Sequence, residues 1–247
     1  MFKKIGCLFV ALTMSLALSS SLFAETLKVV LYDGGSPPLF FAKGDSNTGI
    51  YVDLLNEIGK VSGHQFEFVH YPTKRAMLLF DEGEIHVEPG INPVWRSGSK
   101  VPGEFSIAFA QAEDVVVFQG GKEKQVKSAD DLAGAKVGAI KGFFYPGYMD
   151  AFASKKIKRQ DSQSEEKLML KMASGRLDAM FIRKEAVQYR IKIDEQFKGL
   201  VIGDAIGAAD IMFRVHPTKA SVVESINSAI EKLKANGKIN EIYSKYR

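Results

Sequence analysis

Cysteine is nearly absent. The 247-residue chain has one, Cys7, close to its N-terminus. A lone thiol closes no internal disulfide, and there is no cysteine cluster to hold zinc. Tryptophan also occurs once, and the four histidines, His64, His70, His86 and His216, show none of the spacings of a metal-ligand set. The only long apolar run, residues 5–18, is 14 residues, short of the roughly 20 that a bilayer span needs. A polytopic membrane protein is excluded. Neither sign of charge is in large excess: 33 Lys and Arg stand against 29 Asp and Glu, and a net charge of +4 is too weak to name nucleic acid as a partner. Several enzyme signatures are missing as well, among them the G-x-S-x-G elbow, the phosphate P-loop and the G-x-G-x-x-G turn. The carboxylates do not pair in any way that names a general acid with its base. No catalytic residue, metal or cofactor is assigned.

What is present is an ordinary globular composition, 46% hydrophobic and 25% charged. The first 24 residues read differently from the rest. Lys3 and Lys4 form a positive region, residues 5–18 an apolar one, and Ser19, Ser20, Ser21 and Ala24 a small-residue cleavage region. That is the pattern of a secretory signal peptide, with the cut after Ala24 and the mature protein in the periplasm. Cys7 precedes the apolar run, so a lipoprotein is not indicated. A chain exported without its only cysteine must rely on its core for stability.

The mature chain starts in a β-α-β-α order. Residues 27–32 (LKVVLY) read as a strand ending in the loop from Asp33 to Pro38. Residues 52–61 have a helical period stopped by Gly63, 65–70 alternate as a strand, and Pro72-Thr73 opens a helix through Phe80. A strand at 115–118 leads into the polar stretch 120–127, read as a transition between lobes. A second β-α-β-α block follows. It comprises a short Ser128-capped helix at 129–132, a strand at 136–140 and a helix at 145–153. After these come a strand at 157–160, a helix at 165–173 with Ser162 and Glu165 as its capping box, a strand at 177–182 and a helix at 183–191. Two short strands, 200–202 and 211–215, flank Gly203 and Gly207, and two C-terminal helices break at Asn236-Gly237. This alternation predicts an α/β fold with a mostly parallel sheet. The basic clusters near Lys124 and Lys156 read as solvated faces.

Three places invite a ligand. The segment from Lys136 to Gly142 is a strand entering a glycine turn before a helix. Free amides at a helix start, with Lys141 beside them and Phe143 as an apolar wall, would suit a small anion; a plain β-α turn is the alternative. Arg96 follows Asn92-Pro93-Val94-Trp95 in a loop, and Arg183 ends a strand where open α/β sheets place ligands. An arginine fork matches a carboxylate; a surface arginine or structural ion pair is the alternative for each.

The order of motifs resembles the family 3 periplasmic solute-binding proteins of ABC importers. Tyr32-Asp33 with Pro37-Pro38-Leu39-Phe40 is similar to that family's first ligand loop. Gly49-Ile50-Tyr51-Val52-Asp53-Leu54 resembles "G-f-x-x-D-L", and Pro93-Val94-Trp95-Arg96 with Phe105-Ser106-Ile107-Ala108-Phe109 resembles "T-P-E-R … F-S-x-P-Y". Residues 136–142 resemble "V-G-V-x-x-G", and Gly175-Arg176-Leu177-Asp178-Ala179 resembles "G-R-x-D-A". The resemblance covers nearly all of the mature chain.

It implies a two-lobed Venus-flytrap fold with mostly parallel sheets. Its first lobe would be 25–113 plus 210–247 and its second 114–209. Crossing strands near 114–118 and 203–209 would serve as the hinge. It implies that Arg96 grips a ligand carboxylate, that Tyr32 or Phe40 stacks on the ligand, and that Lys141 and Phe143 support it from the other lobe. Where amino-acid binders carry an Asp for the ligand's ammonium, the alignment puts Arg183. Pro72-Thr73-Lys74-Arg75-Ala76 adds Arg75 as a pocket cation, leaving Glu88 or Asp161 to receive an ammonium. The expectation is a cationic pocket for a small carboxylate-bearing solute, either an amino acid or an organic anion. The protein would be a monomer that delivers this solute to an ABC permease. Alternatives on the same fold are the ligand-sensing subunit of a membrane receptor and a dehydratase-like enzyme.

Overall fold

The computed structural model describes residues 25–44 and 48–247. The leader read at 1–24, with Cys7, and residues 45–47 lie outside the described residues.

Strand β1 (Thr26–Tyr32) runs parallel to β2 (Gln65–Tyr71) on one side and β3 (Val87–Ile91) on the other. A strand covered on both faces reads as an unbroken apolar run, and Leu27, Val29, Val30 and Leu31 are all buried. Between β1 and β2 lies α1 (Ile50–Ser62), whose buried face carries Ile50, Leu54, Leu55 and Ile58. It ends at Gly63, left-handed at φ 83°, whose N–H bonds Gly59 O. Helix α2 (Thr73–Asp81) connects β2 to β3.

β3 is absent from the sequence reading. Its five residues, VEPGI, contain Pro89 and Gly90, which look like a turn. The strand accommodates them at an irregularity in its pairing with the last strand, between Pro89 and Ile91. Gly90 is required there: its φ is 74°, and a Cβ would lie 2.2 Å from the Tyr51 hydroxyl.

After the two-residue strand β4 (Glu104–Phe105), β5 (Ala110–Gln119) enters the second half. There β6 (Lys136–Ile140), α3 (Met149–Ala153), β7 (Lys158–Ser162), α4 (Glu165–Ala173), β8 (Ala179–Arg183) and α5 (Lys184–Ile193) follow in turn. The long β9 (Leu200–Val215) then returns to the first half, followed by α6 (Val223–Ala235) and α7 (Lys238–Tyr246). The strand order is β2-β1-β3-β9-β5-β8-β6-β7, with β4 also on β9. β6 is parallel to both β7 and β8, whereas β5 and β9 run antiparallel to their neighbours.

Two cores divide the molecule. Ala112 and Ile211 pack with β1, α1, α6 and α7, whereas Val116 and Ile206 pack with β6 and β8. Among the described residues only β5 and β9 cross between them, and their ladder is irregular from Asp114 to Val117. A bulge bends a strand pair and sharpens its twist, so the bend falls where the core changes.

Several readings need correction. The two short strands at 200–202 and 211–215 are one strand of 16 residues. Its middle, rich in glycine and alanine, lacks apolar alternation. Gly203 needs to be small because a Cβ would meet Val116 and Phe118 at 3.1 Å. The stretch 120–127 is no transition: Val126 sits in the second core and its N–H bonds Asp204 Oδ2 at 2.7 Å. Helix α3 starts at Met149, not Tyr145, because Pro146-Gly147 intervenes with Gly147 at φ 80°. The cap of α4 is Ser164, whose side chain accepts from Lys167 N, not Ser162.

Candidate functional site

The carboxyl ends of β1 and β3 in one half, and of β6, β7 and β8 in the other, carry the residues that sequence analysis singled out. Open α/β sheets bind ligands at such ends. Tyr32 is the last residue of β1, and Arg96 lies in the 3₁₀ turn Pro93–Arg96 just beyond β3. Both converge on Glu88 of β3, which is 3% exposed.

Glu88 is the centre of a closed network. Its carboxylate accepts from Arg96 Nε at 3.1 Å, from Arg96 Nη2, from the Tyr32 hydroxyl and from Arg214 Nη1 at 2.8 Å. Four bonds use all the acceptor sites of a carboxylate. Arg96 is also nearly spent, with Nη1 on Trp95 O at 3.1 Å and Nη2 on Tyr32 Oη at 3.3 Å. Arg214 on β9 is 1% exposed; its Nε bonds Pro102 O at 2.8 Å, its Nη2 bonds Val101 O, and its guanidinium lies 3.8 Å from the Phe80 ring centre. Burial opposes the Glu88 charge, but the hydrogen bonds and charge of Arg96, with Tyr32 and Arg214, more than offset it. They hold the carboxyl below the usual range. Burial, then the neighbouring Glu88, pushes the Tyr32 phenol up.

Buried aromatic rings pack behind Tyr32. Phe40 sits edge-on to Tyr32 at 6.2 Å and stacks on Tyr51 at 6.3 Å, and Tyr51 meets Phe109 edge-on at 5.9 Å.

In the second half Arg183 is directly opposite Asp114 in the β5–β8 ladder, and its Nε bonds Asp114 Oδ1 at 3.0 Å. Lys184 pairs with Glu113 at 2.7 Å. Glu165 at the start of α4 feels Arg183, Asp114, Arg190 and Glu185; burial dominates and its carboxyl is pushed up to about 7. Glu185 of α5, 6% exposed, is also raised, chiefly by burial, and its Oε2 has no partner.

The anion turn after β6 does not form. No helix follows Gly142, and its neighbours' amides are used: Lys141 N bonds Ser162 O at 2.9 Å and Phe143 N bonds Ile140 O at 3.1 Å. The turn is tied down by Arg159, whose Nη2 bonds Ile140 O at 3.0 Å and Phe143 O at 3.2 Å while Nε bonds Asp161 at 2.8 Å. Asp161 is therefore an exposed ion-pair partner. The side chains of Lys141 and Phe143 are exposed, as is Arg75 on α2. Of the four cations expected in the pocket, Arg96 and Arg183 are paired with acids, and Arg75 and Lys141 are exposed. Glu88, expected as an ammonium acceptor, is saturated.

The sequence profile of the bacterial extracellular solute-binding proteins, family 3, matches residues 28–247. This chain belongs to that family. A probable histidine-binding protein of Neisseria gonorrhoeae is 24% identical to this family 3 chain over 211 residues, 80% of this chain and 74% of the relative. The L-cystine-binding protein TcyJ of Escherichia coli K12 is 24% identical over 217 residues, 87% of this chain and 80% of TcyJ. Among solved structures, an ancestral arginine-binding protein bound to arginine shares the fold with a TM-score of 0.68 at 24% identity. That match covers 90% of this chain and 97% of the other. The curated relatives are binding proteins, and the family is extracellular.

Within this family 3 chain, the structure brings Tyr32, Phe40, Glu88 and Arg96 together on the first half. It places Arg183 with Asp114, Glu165 and Glu185 on the second. Sequence reasoning missed Tyr51, Arg159, Glu165, Glu185 and Arg214. For Arg214 a signal existed: one charge in the apolar strand IMFRV announces a buried partner. Among the described residues no cluster of three or more His, Cys, Asp or Glu side chains could hold a metal.

Proposed function

We propose that this chain is an exported solute-binding protein that closes two lobes over a small amino-acid-sized solute and hands it to an ABC importer in the membrane. The lobes are 25–113 with 210–247, and 114–209. The observation that supports this most directly is the joint between the cores. Among the described residues two strands alone cross it, and their ladder bends at Asp114–Val117. A joint of two strands permits hinge closure, as large interfaces do not.

On the first lobe the half-buried Tyr32, backed by the buried Phe40, offers the solute a ring, and the Arg183 neighbourhood meets it from the second. A bidentate carboxylate grip by Arg96 is not carried forward, since Glu88 already fills that fork.

The test is a thermal-shift screen of amino acids and amines on the mature protein, followed by small-angle scattering with any hit. A solute at 100 times its Kd adds about 2.7 kcal/mol, which raises the Tm by roughly 5–10 °C at this chain length. The radius of gyration should fall on binding. A screen without a hit, or a hit without compaction, overturns the reading.

A further inference from the structure

Arginine has five N–H groups, and a carboxylate guest needs two parallel ones. In Arg96, Nε and Nη2 are given to Glu88, the second Nη2 hydrogen to Tyr32, and one Nη1 hydrogen to Trp95 O. One N–H is left. Glu88 does not move aside readily, because it is also held by the deeply buried Arg214, whose charge would lose its partner. The site therefore already contains the carboxylate that a solute would bring.

Elsewhere in the cleft a carboxylate fares no better. Arg183 is balanced by Asp114 at 3.0 Å, and a second anion approaching it would also meet Glu165 and Glu185. The opposite charge is welcome there. Glu185 is 6% exposed and its Oε2 has no partner; Ser162 Oγ, 4% exposed, and Gln188 Oε1 in the same lobe also have none. All three atoms accept hydrogen bonds, and a buried acceptor left empty is costly. Arg183 and Arg190 act on Glu165, and Arg183 and Arg247 act on Glu185, yet burial still leaves both carboxyls above their usual range. A guest with N–H donors and positive charge supplies what is missing. Tyr189, one turn beyond Glu185 on α5, meets Phe41 of the first lobe edge-on at 5.9 Å, so the helix face that carries Glu185 is turned toward that lobe. Aromatic faces attract cations.

We propose that the site selects a small organic cation without a carboxylate, an amine or guanidinium compound of amino-acid size. Its carbon body lies against the half-buried Tyr32, and its charge is directed to Glu165 and Glu185. This rests on the solute-binding reading above and names the solute class for the same cleft.

The experiment compares matched pairs by calorimetry on the mature protein: agmatine with arginine, cadaverine with lysine, histamine with histidine, phenethylamine with phenylalanine. At least one amine should bind tenfold or more tightly than its parent amino acid. In Glu88→Gln, Arg96 is released from a charged partner, and the gap for that pair should narrow at least threefold through tighter binding of the amino acid. Circular dichroism checks that the variant is folded; the wild-type comparison decides the matter if it is not. Amino acids binding as tightly as their amines overturn the inference and leave the solute-binding function standing. No binding by any pair overturns both.

Discussion

Glu88 is buried and Glu165 half-buried, and their surroundings push the two carboxyls in opposite directions. Glu88 is held below the usual range by two arginines and a phenol. It contributes stability at neutral pH that is lost as pH falls below about 4.5. Glu165 is pushed up to about 7 by burial. Between 4.5 and 7 the folded form keeps a proton that the unfolded form has released, so stability falls as pH rises through that window and stays lower above it. Glu165→Gln should therefore stabilise the protein at pH 8 by on the order of 1–2 kcal/mol, a Tm roughly 2–8 °C higher. The gain should vanish at pH 4.5. Melting curves at the two pH values check this, and equal gains at both would refute the assignment. Neither environment was legible in the sequence. Glu88 sits eight residues from Arg96, but its second arginine is 126 residues away. Nothing local distinguishes Glu165 from its exposed neighbour Glu166.

Elements read well where the pattern was strong. Helix α1, with its periodic apolar face and Gly63 stop, and strand β1, with an apolar run interrupted only by Lys28, were plain from residue order. β3 was not, because Pro89 and Gly90 carry turn chemistry, and the positive φ and the nearby Tyr51 that call for the glycine are seen only in the fold. Gly90→Ala would place a methyl 2.2 Å from the Tyr51 hydroxyl at a φ of 74°. Left-handed strain and overpacking together should cost about 2–5 kcal/mol. Urea denaturation should show the midpoint falling with an unchanged slope. A loss under 1 kcal/mol would mean that β3 relaxes freely and that Tyr51 does not fix it.

At the scale of the whole molecule, α5 carries contacts from one half to the other. Tyr189 meets Phe41 edge-on at 5.9 Å, and Lys192 Nζ bonds Arg247 O at 2.6 Å. If closure over a solute uses these contacts, Tyr189→Ala should weaken solute binding about 2–10-fold, the worth of one aromatic pair. Most of the change should be in the dissociation rate, with little loss of global stability, because Tyr189 is only half-buried. Stopped-flow release and urea melts separate the two effects. Unchanged release would place the contact outside the closing motion.

The sequence alone determined the class of this protein. Alternating strands and helices, a hydrophobic fraction large enough for two cores and five ordered motifs name an extracellular solute-binding fold, because local periodicity and turn residues act within a few positions. The tertiary structure decided which charges meet. Arg96 and Arg183 look free along the chain, yet β3 and β9 bring Glu88 and Arg214 to the first, and the β5–β8 ladder brings Asp114 to the second. Coulomb energy depends on distance in space and on burial, and neither is written in residue order. For that reason the fold could be read from the sequence, while the pairing of Arg96 and Arg183 with acids could not.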